Sequence, residues 1–172
     1  MTQTLNAEEI EALIEAMAGR LRALITERRL DEAAMIGIHT GGVWVASRLH
    51  RRLALAEPLG ALDISFYRDD FTRIGMNPQV RPSQLPFNVD DRHIILVDDV
   101  LHTGRTIRAA LNEIFDYGRP ASILLAVLVE RSGRELPIEA QVVGRHMELR
   151  RREHAKLSGP EPLSLTVIHK DP

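Results

Sequence analysis

The chain has 172 residues, of which 44% are hydrophobic and 27% are charged, and its formal net charge is −2. This length and composition fit one globular domain with a real core, and the small net charge predicts that basic surface is local rather than general. The sequence contains no cysteine, which excludes disulfides, thiolate nucleophiles and cysteine-based zinc sites. An acidic N-terminal segment and the lack of an apolar run near the roughly 20 residues of a membrane span predict a cytoplasmic protein without membrane contact.

The first part of the chain alternates helical and strand patterns. A helix is predicted to begin after Asn6, since Asn is a good helix cap and apolar residues then recur at helical spacing from Ile10 to Ile25. The next predicted elements are a buried strand at 33–38, a turn at 39–42, an amphipathic helix at 43–55 and a strand at 61–67.

The stretch from 68 to 92 is polar, contains Pro78, Pro82 and Pro86, and shows no sustained period. A connection of this length inside a compact domain is usually a functional flap or a disordered segment. We expect a flexible hood loop here. It also contains three arginines, Arg68, Arg73 and Arg81.

The second part of the chain continues the alternation. It predicts strands at 93–97, 122–130, 139–144 and 163–169, and a helix at 105–118 that ends at Gly118. Strands alternating with helices indicate an α/β fold with a mostly parallel central sheet flanked by helices, here as a single domain over 1–172. Ligands of such sheets bind beyond the carboxyl ends of the strands.

The string ILVDDVLHTGRT (95–106) lies at such an end. The backbone N–H groups of Thr103-Gly104-Arg105-Thr106, at the start of a helix, form a cup for one phosphate. The acids Asp98 and Asp99 precede it, and carboxylates accept hydrogen bonds from vicinal hydroxyls and attract hydrated magnesium. Together these groups indicate a ribose 5-phosphate site. The acid pair alone also fits a receiver-domain acidic pocket, an ATPase metal site or a solvated turn.

The same string resembles the phosphoribosyl-pyrophosphate (PRPP) motif of type I phosphoribosyltransferases. The segments LDISFYRDD and GRPASILLAVLVERSGRELPI, together with the chain length, extend the resemblance to the pyrimidine operon regulatory protein / uracil phosphoribosyltransferase family, the PyrR family. The resemblance implies a type I phosphoribosyltransferase-like fold. It also implies a pentosyl-transferring glycosyltransferase, with Mg²⁺ as cofactor, that makes UMP and pyrophosphate from uracil and PRPP.

The resemblance assigns roles to individual residues. Asp98, Asp99 and Arg68 would be the catalytic residues, and the two acids would meet the metal indirectly, through magnesium-PRPP. Val129, Glu130 and Arg131 would recognise uracil. Judged on the residues themselves, Arg68, Arg73 and Arg81 of the hood loop either contact the leaving pyrophosphate or only keep the loop soluble. The PRPP-binding residues would be Thr40, Gly41 and Gly42 at the pyrophosphate loop, and Asp98, Asp99, Val100, Leu101, His102, Thr103, Gly104, Arg105 and Thr106.

Two positions depart from the family pattern. Relatives often have Lys-Thr-Arg-Gly at the pyrophosphate loop, whereas this chain has His39-Thr40-Gly41-Gly42, so an arginine contact to pyrophosphate is missing. His102 stands where tyrosine is common, and it either touches the ligand or faces solvent.

The family also includes regulators that bind leader RNA of the pyrimidine operon and sense UMP and other uridine nucleotides. The basic residues that would contact RNA phosphates form three groups: Arg20, Arg22, Arg28 and Arg29; Arg48, His50, Arg51 and Arg52; and Arg145, His146, Arg150, Arg151, Arg152, His154 and Lys156. The alternatives are solvated helix faces, an RNA-binding attenuator with little or no catalysis, and a nucleotide sensor without turnover. The resemblance further implies a homodimer or higher homo-oligomer.

Overall fold

The computed structural model describes residues 4–64 and 83–171. The elements in chain order are β1 (Thr4–Leu5), α1 (Ala7–Glu27), β2 (Ala34–Ile38), α2 (Gly41–Leu53), β3 (Gly60–Leu62), β4 (His93–Leu101), α3 (Arg105–Tyr117), β5 (Ser122–Arg131), β6 (Val142–Met147), β7 (Glu153–Ser158) and β8 (Ser164–His169). The proposed contacts of Arg68, Arg73 and Arg81 lie outside the described residues and stay predictions.

A five-stranded parallel sheet in the order β3-β2-β4-β5-β6 forms the centre of the protein. Alternate residues of β4 enter opposite sides of the core. Ile95 and Val97 pack with apolar residues of α1 and α2, whereas Ile94 and Leu96 pack with those of α3. The predicted α/β fold, with helices on both faces of a mostly parallel sheet, is confirmed.

Helix α1 begins as the sequence predicts. Asn6 and Glu9 form a reciprocal capping box, in which each side chain accepts a hydrogen bond from the backbone N–H of the other at 2.9 Å. The helix then buries one apolar face, formed by Ile10, Ile14, Met17, Ala18 and Leu21. This face covers the sheet because its residues recur at helical spacing.

Strand β4 is longer than the apolar run predicts. It was expected to end at Val97, but it continues through the acid pair to Leu101. The extension pairs Asp98, Val100 and Leu101 with Val127, Val129 and Glu130 of β5. Pairing with β5 keeps these residues extended. The acids therefore lie within the carboxyl-terminal part of β4 and not in a loop.

Other boundaries also shift by a few residues. Helix α2 begins at Gly41 rather than at residue 43, so the glycines of the predicted turn form its first turn. Strand β6 covers Val142–Met147 rather than 139–144, because Val142 pairs with Ala126 of β5. Helix α3 ends at Tyr117, with Gly118 as its C-cap, as the sequence predicts.

A second sheet was only partly foreseen. Its three antiparallel strands lie in the order β1-β8-β7, and of these the sequence predicted β8 alone. Strand β7 was missed because it lies in a charged segment and buries only Leu157. Leu5, Leu157 and Leu165 join the same apolar cluster as Ile95, so the two sheets share a core.

Part of the predicted hood region belongs to this body. Gln84 exchanges two backbone hydrogen bonds of 2.8 Å with Ala61, and Val89 is buried. The remaining hood residues, 68–82, lie outside the described ranges, and a mobile hood there stays a prediction. Within residues 4–64 and 83–171, no helix has the length and apolar character needed to cross a bilayer.

Candidate active site

The predicted pyrophosphate loop lies directly against the acid pair. Strands β2 and β4 are parallel neighbours, and Gly37 is in register with Val97, so the residues that follow each strand meet at one sheet edge. A Cβ built on Gly41 would lie 2.2 Å from Asp99 Oδ2, and one built on Gly42 would lie 2.8 Å from the Val97 carbonyl oxygen and 3.0 Å from Asp98 Oδ1. Glycine is therefore required sterically at position 42, where the nearest atom is backbone, whereas a side chain at position 41 would displace the Asp99 carboxylate.

The two carboxylates are held by backbone N–H groups. Asp98 Oδ1 accepts a hydrogen bond of 2.8 Å from the Asp99 N–H, and Asp99 Oδ1 accepts one of 2.7 Å from the Val100 N–H. Asp98 is only 5% exposed, whereas Asp99 is half-buried. These contacts lower the free-energy cost of keeping two neighbouring acids in a partly buried place.

The loop before α2 contains an unusual peptide bond. The peptide bond between His39 and Thr40 is cis, although Thr40 is not a proline. The Thr40 side chain makes no capping hydrogen bond to α2. Thr40 is exposed, whereas Gly41 and Gly42 are buried against the acid pair.

The predicted phosphate cup forms the turn between β4 and α3. Gly104 has a φ of 96°, a left-handed conformation that suits glycine. Thr103 Oγ1 accepts a hydrogen bond of 3.1 Å from the Arg105 N–H. Leu101 and Ile107 are buried on either side, so both ends of the cup are fixed in the core while His102, Thr103 and Thr106 remain half-buried.

Residues after β5 hold the outer side of this cup, a contact that the sequence did not reveal. The Thr103 carbonyl oxygen accepts hydrogen bonds of 3.0 Å from the N–H groups of both Glu135 and Leu136. A Cβ on Gly104 would lie 3.0 Å from Ile138 Cγ1. The segment RELPI, which contributed only to the family resemblance, therefore lies in contact with the predicted phosphate cup.

The three residues expected to recognise uracil occupy different environments. Val129 is fully buried, so only its backbone can reach a ligand. Glu130 forms an ion pair with Arg134 at 2.9 Å, and its other carboxylate oxygen lies 2.7 Å from His146 Nδ1. Arg131 is 4% exposed and donates to the carbonyl oxygens of four residues: Ser132, Leu149, Arg150 and Glu153.

A cleft of about 460 Å³ opens beside the predicted phosphate cup. His102 and Thr103 form one wall, and Ser132, Gly133, Leu149 and Arg151 are among the other lining residues. Burial lowers the pKa of His102 below its ordinary value, and the positive charges of Arg131 and His154 lower it further. His102 therefore lines the cleft as a half-buried side chain, and its lowered pKa favours the neutral imidazole.

The basic residues divide into engaged and exposed groups. Arg48 is 9% exposed and pairs with Glu11 at 2.7 Å, and Arg52 pairs with Glu11 at 2.6 Å and with Glu15 at 2.8 Å. Burial by itself would raise the pKa of Glu11, but the hydrogen bonds from both arginines outweigh it and hold that pKa below its usual value. These two arginines join α1 to α2. The exposed members near the C-terminus are Arg145, His146, Arg150, Arg151, Arg152 and Lys156.

The site offers two carboxylates to a metal rather than a full cage. Within the described ranges, no group of three or more His, Asp or Glu side chains is arranged to hold an ion. Magnesium is usually bound by one or two carboxylates together with substrate phosphates. Asp98 and Asp99 fit a magnesium ion that arrives with PRPP.

Comparison with known proteins agrees with this geometry. Residues 2–149 match the phosphoribosyl transferase domain family. The hypoxanthine phosphoribosyl transferase of Trypanosoma cruzi shares the fold, with a TM-score of 0.67 and 22% identity over 86% of this chain and 78% of that one.

Two relatives narrow the family. The bifunctional protein PyrR of Nitrosococcus oceani is 63% identical over 165 residues, which cover 95% of this chain and 93% of the relative. The PyrR protein of Pseudomonas aeruginosa is 59% identical over 153 residues, covering 89% and 90%. The family expected from the sequence is confirmed: the chain belongs to the PyrR family of type I phosphoribosyltransferases.

Proposed function

We propose that the protein is a uracil phosphoribosyltransferase that makes UMP and pyrophosphate from uracil and PRPP, and that it also regulates pyrimidine biosynthesis genes. The observation that carries the enzymatic part is the contact of Gly41 and Gly42 with the Asp98-Asp99 carboxylates, next to the phosphate cup. A pyrophosphate loop, a diol-binding acid pair and a 5-phosphate site are the three parts that PRPP needs.

Each part has a proposed ligand group. The acid pair accepts hydrogen bonds from the ribose 2′- and 3′-hydroxyls, because carboxylates are acceptors only. The cup from Leu101 to Thr106 binds the 5-phosphate through backbone N–H groups at the start of α3. Thr40, Gly41 and Gly42 bind the pyrophosphate. The lack of side chains at Gly41 and Gly42 lets this backbone pack directly against the acid pair.

The uracil ring is proposed to enter the cleft beside His102. The side chains of Glu130 and Arg131 are engaged in internal contacts. Recognition near β5 therefore falls mainly to backbone groups at its end, together with the cleft walls at Ser132 and Gly133. In this proposal Val129, Glu130 and Arg131 contact uracil through their backbone groups.

Catalysis in this proposal depends on positioning. Uracil N1 forms a bond to the anomeric carbon of PRPP from the face opposite pyrophosphate, and the bond from that carbon to the pyrophosphate oxygen breaks. The N1 proton is lost in the same reaction and is taken up by the released pyrophosphate. The acid pair holds the ribose and favours the positive charge that develops on its ring. Magnesium, when bound, supplies positive charge to the departing pyrophosphate. The chain lacks cysteine, and the hydrogen bond of 2.7 Å between His93 Nδ1 and Ser122 Oγ lies at the amino ends of β4 and β5, away from the acid pair. The proposed transfer therefore proceeds without a covalent enzyme intermediate.

The regulatory part rests on exposed charge. Arg145, Arg150, Arg151, Arg152 and Lys156 lie on the surface near β6 and β7, and RNA phosphates are bound by such residues. Binding of UMP or other uridine nucleotides in the active site would change RNA affinity. The proposal places the protein in the cytoplasm, as a homodimer or higher homo-oligomer. The alternative is an attenuator with little catalysis.

One experiment tests the enzymatic proposal. The protein is incubated with PRPP, magnesium and each nucleobase in turn, and any nucleotide formed is identified by mass. UMP from uracil, with release of pyrophosphate, is the expected result. A nucleotide formed from guanine, hypoxanthine or orotate but not from uracil would contradict the substrate, and no product from any base would favour the attenuator.

A further inference from the structure

We propose that Arg134 is a positioning residue that aims the backbone of the 5-phosphate loop at its ligand, and that Glu130 anchors it. The inference rests on the proposed function, because it concerns the phosphate end of the same site. Arg134 is the first residue of the RELPI segment, to which neither the motif nor the mechanism assigns a task.

The Arg134 guanidinium joins three parts of the fold. Its Nε donates a hydrogen bond of 2.8 Å to the carbonyl oxygen of His102, which lies in the 5-phosphate loop (101–106). One terminal nitrogen donates to the Ile138 carbonyl oxygen at 2.5 Å, and the other pairs with Glu130 Oε1 at 2.9 Å. The side chain is only 26% exposed, so these contacts are sheltered from water.

The His102 contact decides the direction of an N–H group in the phosphate cup. A trans peptide unit is planar, and its N–H points opposite to its C=O. The His102 carbonyl oxygen points to Arg134, so the Thr103 N–H of the same peptide unit points the other way. In the next unit, the Thr103 carbonyl oxygen is held by Glu135 and Leu136, so the Gly104 N–H points away from them.

Two successive N–H groups are thus turned to one side of the loop, and the RELPI segment occupies the other. An anion site needs this arrangement, since N–H groups attract a phosphate and carbonyl oxygens repel it. The backbone of Glu135 and Leu136 secures one carbonyl oxygen, but the other depends on the Arg134 side chain. Arg134 therefore acts on the phosphate through the loop and not by direct contact.

Glu130 gives this arginine a fixed position. It lies near the end of β5, where its backbone pairs with Leu101 of β4. One carboxylate oxygen faces Arg134, and the other lies 2.7 Å from His146 Nδ1. An arginine that is paired with a carboxylate on a central strand loses much of its freedom before the ligand arrives, which favours a preorganised site.

The chain contains a closely matched control. Arg92 also donates to two backbone carbonyl oxygens, those of Asn88 at 3.3 Å and Glu32 at 3.1 Å, and pairs with Glu57 at 3.1 Å. Its side chain is 17% exposed. It directly precedes β4 and so lies at the amino end of the strand whose carboxyl end carries the acid pair. Loss of Arg92 should cost similar stability without touching the phosphate loop.

The experiment compares binding of UMP and uridine by calorimetry, since the two differ only in the 5-phosphate. We expect Arg134→Gln to reduce the ratio of UMP to uridine affinity roughly tenfold, because a hydrogen bond from a charged donor that orients the loop is lost. Uridine affinity should change less than twofold. Arg134→Lys should restore part of the ratio, as a point charge can satisfy one carbonyl oxygen but not the whole fork. Arg92→Gln should leave the ratio unchanged.

Other outcomes separate this inference from the proposed function. An unchanged ratio in folded Arg134→Gln, or an equal loss of UMP and uridine affinity, would overturn the positioning role while leaving the enzyme intact. Absence of UMP binding by the unmodified protein would contradict the proposed function itself. If Arg134→Gln does not fold, Glu130→Gln carries the test. It keeps the arginine but loosens it, so the ratio should fall by a smaller factor, and no fall would overturn the proposal.

Discussion

Asp99 occupies the space that a side chain at position 41 would take. A Cβ on Gly41 would approach Asp99 Oδ2 to 2.2 Å and Asp99 Cγ to 2.8 Å. In this chain, glycine at position 41 leaves the space that the Asp99 carboxylate occupies.

The substitution Gly41→Ala should impair PRPP binding more than folding. The added methyl group forces the Asp99 carboxylate to rotate, which breaks its 2.7 Å hydrogen bond with the Val100 N–H. We expect the KM for PRPP to rise roughly tenfold, with a loss of unfolding free energy of about 1 kcal/mol. Steady-state kinetics and thermal melting measure both quantities.

Gly19→Ala is the matched control. Gly19 lies in α1, where a Cβ would meet nothing within 4 Å. The substitution should raise the unfolding free energy by roughly 0.5–1 kcal/mol, because alanine favours a helix, and it should leave kinetics unchanged. Unaltered PRPP kinetics in Gly41→Ala would show that the Asp99 position does not matter to the substrate.

Neutralising either member of the acid pair should separate activity from stability. We expect Asp98→Asn and Asp99→Asn each to lower kcat/KM for PRPP by about 10- to 100-fold, since a charged acceptor for a ribose hydroxyl is lost. Stability should remain equal or rise slightly, because the empty site holds two neighbouring carboxylates that repel each other. Thermal melting without ligand provides the check.

Asp116→Asn serves as the comparison for this pair, since it removes one exposed carboxylate from α3. It should change neither activity nor melting temperature appreciably. If Asp98→Asn or Asp99→Asn lost its cooperative thermal transition, the acids would be structural residues and not ligand-binding ones.

Acid should destabilise the protein through His102. Burial, Arg131 and His154 lower the pKa of His102, and burial, Lys170 and Arg131 lower that of His154. The folded state then binds these protons less readily than the unfolded state. The stabilisation is present above the ordinary histidine pKa of about 6.5 and is lost as the pH falls through the lower folded values. Melting temperature should therefore drop between about pH 7 and 5.5.

The variant His102→Gln should show a smaller drop over the same pH range, because one of the two groups has been removed. His169→Gln is the control, since His169 is exposed on β8. The same acid-induced drop in His102→Gln as in the unmodified protein would show that His102 does not contribute to it.

The sequence predicted the parts of the site that depend on local order. The string from Ile95 to Thr106 contains the strand, the acids, the turn glycine and the helix start, so its geometry follows from neighbours along the chain. The parallel sheet was also predictable, because its strands are apolar runs and alternate with helices.

Contacts between distant segments were not predictable in this way. Arg131 was expected to recognise uracil. Its guanidinium instead donates to the carbonyl oxygens of Leu149 and Glu153, which lie 18 and 22 residues further along the chain. Glu130 likewise pairs with Arg134 and His146. No periodicity in the sequence marks which of several arginines and glutamates meet, and β7 was hidden because its side chains are mostly polar.

The final prediction separates catalysis from regulation. Arg150 and Arg152 are exposed in the turn before β7, while the neighbouring Arg151 lines the cleft beside His102 and Thr103. Arg150→Glu combined with Arg152→Glu should therefore weaken binding to a pyrimidine-operon leader transcript and leave uracil turnover within about twofold. Loss of two phosphate contacts should make the slope of log affinity against log salt shallower by about 1.4, as counterion release from single strands requires.

The control pair Arg108→Glu and Arg119→Glu changes net charge equally on exposed residues of α3 and the segment after it. It should reduce RNA affinity much less.

The leader should also bind more tightly than a scrambled transcript, and UMP should shift that affinity, since regulation requires coupling between the two sites. Weak and equal binding of both transcripts, unaffected by UMP, would leave a phosphoribosyltransferase whose basic residues only face solvent. Loss of turnover in the Arg150 and Arg152 variant would instead place this turn within the active site, because Arg131 donates to the Arg150 carbonyl oxygen and so links the turn to β5.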